Sequence, residues 1–205
     1  MIDESLSRKE RTRQEIIRAA HDLFISQGYH GTSMRQIAQK AGIALGGVYN
    51  HFESKEDVFR EVFFEYHPYR EILSTVIAAD GQMVEQFLRN AFEGIITTLR
   101  GRPDLMNLMF IEIVEFKSAH AQELLALVLP QVAPVIQRMS QNNQGRLRPI
   151  PTLILLRLFV SMFFGYYLTE VIFSSLAPAE FRVDAAEYFV DVLIHGVLQD
   201  DRCTS

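Results

Sequence analysis

Tryptophan is missing from this chain of 205 residues, and cysteine occurs once, at Cys203. A lone cysteine third from the end excludes an internal disulfide framework and a cysteine-based zinc cluster, and suits a reducing cytoplasm. His67, His120 and His195 are scattered, with no His-Glu-x-x-His spacing, so no metal is expected. The glycines form no phosphate loop after a strand, and no serine lies in a nucleophile-elbow pattern. The chain therefore reads as a non-enzyme without a cofactor. Long apolar runs are short as well. The stretch Pro151 to Leu176 is interrupted by Arg157 and Glu170, and its core from Leu158 to Thr169 falls below the about 20 apolar residues of a membrane span. The polar opening, MIDESLSRKERTRQE, is unlike a secretory signal. A cytoplasmic protein with no membrane partner is expected.

What the chain does hold is apolar bulk and lopsided charge. Hydrophobic residues make up 48% and charged residues 22%, enough to fill a sizeable core. The net charge of −5 hides a division. Arg8 to Asn50 carry seven basic residues against three acidic ones, a net of +4. Residues 1–7 contribute −2, and residues 51–205 hold 13 basic and 20 acidic residues, a net of −7. The positive segment can face a polyanion while the negative body keeps the molecule in solution.

Apolar spacing reads as helix almost throughout, so the fold class is all-α; β-branched runs such as Ile95–Thr98 are short and sit inside helical patterns. Ser7 with Glu10 predicts the start of a first helix with Ile16, Ala20, Leu23 and Phe24 on its stripe, ended by Gly28. Thr32 or Ser33, the latter with Gln36 in the capping-box place, predicts the start of a second, burying Met34, Ile37, Ala38 and Ala41. A third short helix is expected from Ala44 to His51. Ser54 starts a fourth, with Val58, Phe59, Val62 and Phe63 inside, and Pro68 kinks or ends it unless it falls in a tolerated first turn. Segments near 81–100, 103–117, 120–140, 152–176 and 182–199 make a larger helical bundle, Pro130 and Pro134 being expected to kink or divide the third of them. The domain boundary is placed near His51–Ser54. This gives domains 1–52 and 53–205, with the fourth helix (53–67) as mechanical link.

The stretch Thr32 to Phe52, TSMRQIAQKAGIALGGVYNHF, is the most specific signal. Ala38 and Ala41 are small where two helices must approach, Gly42 can reverse the chain, and Ile43 and Val48 plug the angle between the helices. This is a helix-turn-helix pattern, whose second helix can enter a DNA major groove. Gly28-Tyr29, Thr32-Ser33-Met34-x-x-Ile37-Ala38, Ala41-Gly42-Ile43 and Val48-Tyr49-x-His51-Phe52-x-x-Lys55-Glu56-x-Val58 together resemble the amino-terminal domain of the TetR/AcrR transcriptional regulators, over residues 10 to 60. The resemblance implies a homodimeric DNA-binding regulator, usually a repressor, whose larger domain binds a small molecule and thereby releases a two-fold symmetric duplex operator.

By resemblance, Tyr49 and Lys55 match positions that hold the DNA backbone, and Thr32 and Ser33 match the start of the second helix, where hydroxyl and backbone groups do the same. Arg35, Leu45, Gly47 and Asn50 are exposed candidates for reading or lying against bases. Gly46 and Gly47 permit close backbone approach. Each has a plainer reading: Tyr49 as a packing aromatic, Lys55 as solvated charge, His51 as a packing or capping group rather than a DNA contact. Arg8, Lys9, Arg11 and Arg13 form either a basic arm on DNA or a frayed, solvated terminus. One departure stands out. The family commonly caps the third helix with Ser or Thr, but here the residue is Ala44, and losing such a cap costs ~1 kcal/mol.

In the larger body, Phe87, Met106, Met109, Phe110, Phe116, Tyr166 and Tyr167 suit a small apolar or aromatic effector, and equally an ordinary core. Glu112 and Glu170 need a partner if buried. A cationic ligand, Arg157, His120 or a tyrosine can supply it, and a solvent-facing edge gives the same pattern. The two terminal helices are the expected dimer surface: Leu158, Ser161, Met162 and Gly165 on the first, Phe181, Tyr188, Phe189 and Val192 on the second. Packing within one chain is the plainer reading. The favoured function is a ligand-responsive DNA-binding transcriptional repressor. The alternatives are an activator or effector-independent regulator, or a helical protein-interaction scaffold.

Overall fold

The computed structural model describes residues 7–79, 84–99, 101–102, 104–142, 148–173 and 185–197. These form α1 (Arg8–Gly31), α2 (Met34–Lys40), α3 (Leu45–Tyr49), α4 (Lys55–Tyr66), α5 (Tyr69–Ala78), α6 (Val84–Leu99), α7 (Asp104–Phe116), α8 (Ala119–Asn142), α9 (Thr152–Phe173) and α10 (Ala185–Val197). No strand occurs among the described residues. The fold is all-α, a helix-turn-helix joined to a larger helical bundle.

Two compact units divide the chain: Met1–His67 with Pro103–Leu125, and Pro68–Arg102 with Ala126–Ser205. This differs from a boundary after residue 52, because the first unit takes in α4, α7 and the opening of α8. The physical reason is core area. Val58, Phe59, Val62 and Phe63 of α4 are fully buried in the same unit as Ile16, Ala20 and Phe24 of α1, and Phe59 stacks on Phe116 of α7 at 4.7 Å between ring centroids. Three short helices alone have too little apolar face to close such a core.

Local chemistry sets the helix ends of this unit. Ser7 Oγ accepts from the Glu10 amide at 3.2 Å. Gly28, at φ 76 and ψ 174, interrupts α1, so the regular helix stops there and residues 29–31 form a turn beyond it. At α2, Ser33 Oγ accepts from the Gln36 amide and Gln36 Oε1 accepts from the Ser33 amide at 2.8 Å, a reciprocal capping box. Ser54 Oγ caps α4 through the Asp57 amide at 3.0 Å, and Pro68 stands just before α5.

At the α7–α8 corner Lys117 and Ser118 have positive φ, 52° and 65°, and the Ser118 amide bonds back to the Glu112 carbonyl at 3.1 Å. The fully buried Glu112 carboxylate accepts from the His120 amide at 2.7 Å, the Ala121 amide at 2.9 Å and His120 Nδ1 at 2.8 Å. It thereby caps the start of α8 in place of a side chain at the usual capping position.

In the second unit, Phe92 and Ile96 of α6, Tyr166 of α9, and Ala186, Val190 and Ile194 of α10 share one core, with Phe87 and Val135 in a second cluster. α8 is not divided by its prolines; one helix runs through both Pro130 and Pro134. Each proline withdraws one amide, leaving the Ala126 and Pro130 carbonyls without their usual partners. Both residues are exposed, so water can serve those carbonyls and the helix continues.

Candidate nucleic-acid interface

The short α3 is held by one side of its surface. Val48 is fully buried alongside Ile37 and Ala38 of α2, and Gly42, at φ 71, turns the chain between them. The Ile43 amide bonds the Ala38 carbonyl at 3.0 Å, closing the turn. The opposite face is left open: Leu45 is 40% and Tyr49 52% exposed, Asn50 is exposed, and a Cβ added to Gly46 would meet nothing within 4 Å. Ser33 and Arg35, on the approach to and first turn of α2, are exposed too.

Ala44 takes the extended conformation of a capping residue but has no side chain to cap with. Replacing Ala44 by Ser is expected to stabilise the chain by ~1 kcal/mol, read as a raised urea midpoint with unchanged slope. No gain would mean that the first α3 amides are already satisfied.

Several sequence candidates are placed otherwise. Thr32 is 2% exposed, and its Oγ1 donates to the Gly28 carbonyl at 2.9 Å, so its hydroxyl faces the protein. Lys55 Nζ donates to the Tyr29 carbonyl at 2.7 Å and the Thr32 carbonyl at 2.8 Å, and sits 4.1 Å from the Tyr29 ring centroid. Two of the three ammonium donors are engaged in this way, and the residue is half-buried. Burial pushes its ammonium below the usual lysine range, opposed by the nearby Glu115 carboxylate. Gly47 is half-buried against Ile43, and His51 is half-buried with Nδ1 enclosed and without a hydrogen-bond partner. Arg13 pairs with Glu61 and lies over the Phe52 ring, so it is not part of a loose arm. A polar cleft of about 360 Å³ is lined by Ser7, Lys9, Glu10, Arg13, Asn50 and His51.

The missed residues are Tyr29 and His30. Tyr29 packs edge-on against Phe116 at 4.9 Å and Phe59 at 5.9 Å, while His30 meets Glu115 at 2.7 Å. The only sequence signal for them was an aromatic following Gly28.

The nine effector candidates fall in both units. In the first, Glu112 is consumed by the α7–α8 corner, Met106 is buried, Met109 and Phe116 are half-buried, and Phe110 is exposed. In the second, Phe87 and Tyr166 are buried in the cores, Glu170 is exposed, and Tyr167 Oη donates to the Arg102 carbonyl at 2.8 Å. Among the dimer candidates, Met162 and Phe189 are half-buried against their own unit's core, whereas Leu158, Ser161, Tyr188 and Val192 are exposed. Gly165 has open space where a Cβ would stand, and Phe181 lies outside the described residues. Among the described residues, no three His, Cys, Asp or Glu side chains gather as a metal site.

Residues 16–62 match the family described as bacterial regulatory proteins, tetR family. The HTH-type transcriptional repressor DhaR of Mycobacterium sp. (strain GP1) is 32% identical over 126 residues, covering 60% of this chain; the chain spans 62% of that relative's length. Among solved structures, a TetR family transcription regulator from Marinobacter aquaeolei VT8 superposes with TM-score 0.69 at 19% identity, covering 94% of this chain and 98% of that one. The transcriptional regulator FadR from Bacillus subtilis, in complex with stearoyl-CoA, gives 0.68 at 18% identity, covering 89% and 98%. Residues 16–62 thus carry the helix-turn-helix domain described for the tetR family, and the chain as a whole shares the fold of solved TetR-family regulators.

Proposed function

We propose that this chain is a DNA-binding transcriptional regulator that acts as a homodimer, and that it is a repressor released by a small apolar or aromatic effector. The observation that carries this reading is α3: anchored by Val48, it turns Leu45, Tyr49 and Asn50 outward in a segment of net positive charge. Such a face suits the major groove, with Arg35 and Ser33 beside it for phosphates and bases. That DhaR is a repressor, and that FadR was solved with stearoyl-CoA, favours repression and an apolar effector.

A second copy is favoured by uncovered apolar surface on the terminal helices. Val160 of α9 is 52% exposed, and Tyr188 and Val192 of α10 are 67% and 63% exposed. In length and composition, Leu153–Phe173 of α9 and Ala119–Gln137 of α8 also meet what a membrane-crossing helix needs. The apolar core Leu158 to Thr169 thus understates α9, yet Arg157 and Glu170 remain exposed within it. A dimer in solution covers the same face without burying those charges in lipid. For release, the effector must bind the non-operator state more tightly; occupancy alone shifts nothing.

Selection from random duplex DNA by the purified chain, repeated at several salt concentrations, tests the reading. Enrichment of a two-fold symmetric site, with affinity falling as salt rises, is the expected result. A monomer that enriches no duplex even at low salt would sink it. Recovery only in the membrane fraction would do the same.

A further inference from the structure

We propose that Lys55 is a positioning residue that fastens the corner after α1 to the first turn of α4, and so sets the orientation of α2 and α3 without gripping DNA phosphate. The proposal rests on the DNA-binding reading above and reassigns one of its residues. Lys55 opens α4, while Tyr29 and Thr32 lie on either side of the Gly31 exit from α1. Its ammonium has three donors; two are spent on the Tyr29 and Thr32 carbonyls, at 2.7 and 2.8 Å, and the cation rests against the Tyr29 ring at 4.1 Å.

Those carbonyls are not incidental partners. The chain leaves helical geometry at Gly28, and beyond it the Tyr29 carbonyl keeps one backbone partner, the Thr32 amide at 3.3 Å, with Lys55 supplying its second. Ser33, the residue after Thr32, starts α2. A cation fixed here holds the entry to the helix-turn-helix against α4. The Tyr29 ring in turn is braced by Phe24, Phe59 and Phe116. An ammonium withdrawn toward a phosphate would leave two carbonyls and the ring face without it, a loss that DNA contact would first have to offset.

The test uses the full chain and a duplex recovered by the selection above. Affinities of wild type, Lys55→Met, Tyr29→Leu and the double variant are measured across a salt series, well below melting. Were Lys55 bound to a phosphate, its removal would lower the slope of log affinity against log salt by about one. Removal of a positioning residue instead lowers affinity at every salt with the slope kept. We expect a loss of about tenfold or more for each single variant, unchanged slopes, and a double variant little worse than either, because the two residues act as one unit.

A reduced slope for Lys55→Met, or full affinity in a folded Lys55→Met whose melting temperature alone has dropped, overturns the proposal while leaving the DNA-binding reading in place. If Lys55→Met does not fold, Tyr29→Leu decides: its ring lies off the reading face, so unchanged affinity overturns the proposal and a loss at constant slope supports it. Failure of the wild type to select any duplex removes the underlying reading, and the proposal with it.

Discussion

Replacing Glu112 by alanine is expected to lower the unfolding free energy by about 3–5 kcal/mol, measured as a fall in urea midpoint. The magnitude follows from what the carboxylate serves. It is fully buried and accepts from two backbone amides and from His120 Nδ1. Alanine leaves all three donors without an acceptor in a place water does not reach, and each buried unsatisfied group costs about 1–3 kcal/mol. The same substitution removes a negative group from the start of α8, where the helix dipole favours one. It also removes the partner that fixes the His120 ring, which lies against Phe59, Phe63 and Phe116.

Against a total stability of about 5–15 kcal/mol for a domain, such a loss is close to the limit. Glu112→Gln keeps one acceptor oxygen but turns an amide group toward donors, and should fall between wild type and alanine. An alanine variant within 1 kcal/mol of wild type, on the order of the net value of a single hydrogen bond, would mean that the α7–α8 corner does not depend on this carboxylate.

The elements that could be read from the sequence are those whose chemistry is local. Ser7, Ser33 and Ser54 each cap a helix through an amide three residues on, and each pairing is present. The buried set of α4 and the turn at Gly42 were legible for the same reason: a period of 3.6 residues and a left-handed glycine are properties of a few consecutive residues. The sites failed to read where the partner is remote or is backbone. Lys55 meets carbonyls 26 and 23 positions away, which spacing cannot reveal. Glu112 was legible as a group in need of a partner, with His120 among the candidates, but not as the cap of α8, because that role depends on the positive-φ corner at Lys117 and Ser118. Thr32 carries the residue type of a phosphate contact, yet its hydroxyl is turned back to Gly28 by the same α1 exit. α8 passed through two prolines because the carbonyls they free are on its wet side, and the one-dimensional pattern does not say which side is wet.

Replacing Val192 by aspartate is expected to turn a dimer into a folded monomer and to weaken operator binding at least about 100-fold. Val192 and Tyr188 are four residues apart, so they share one face of α10, while Ala186, Val190, Leu193 and Ile194 face the unit's own core. Aspartate at position 192 therefore stays in water in the separate subunit, and circular dichroism and melting should change little. In a two-fold dimer the same position enters the interface twice, so each association buries two unpaired carboxylates, a cost of several kcal/mol. Since each 1.4 kcal/mol is a factor of about 10, association at micromolar concentration should be lost. Operator affinity falls with it, because a monomer reaches only one half-site. Sedimentation of wild type, Val192→Asp and, on the facing helix, Val160→Asp settles the matter. If both variants keep the dimer mass and the affinity, the subunits join through another surface, and the exposed apolar faces of α9 and α10 need a different occupant.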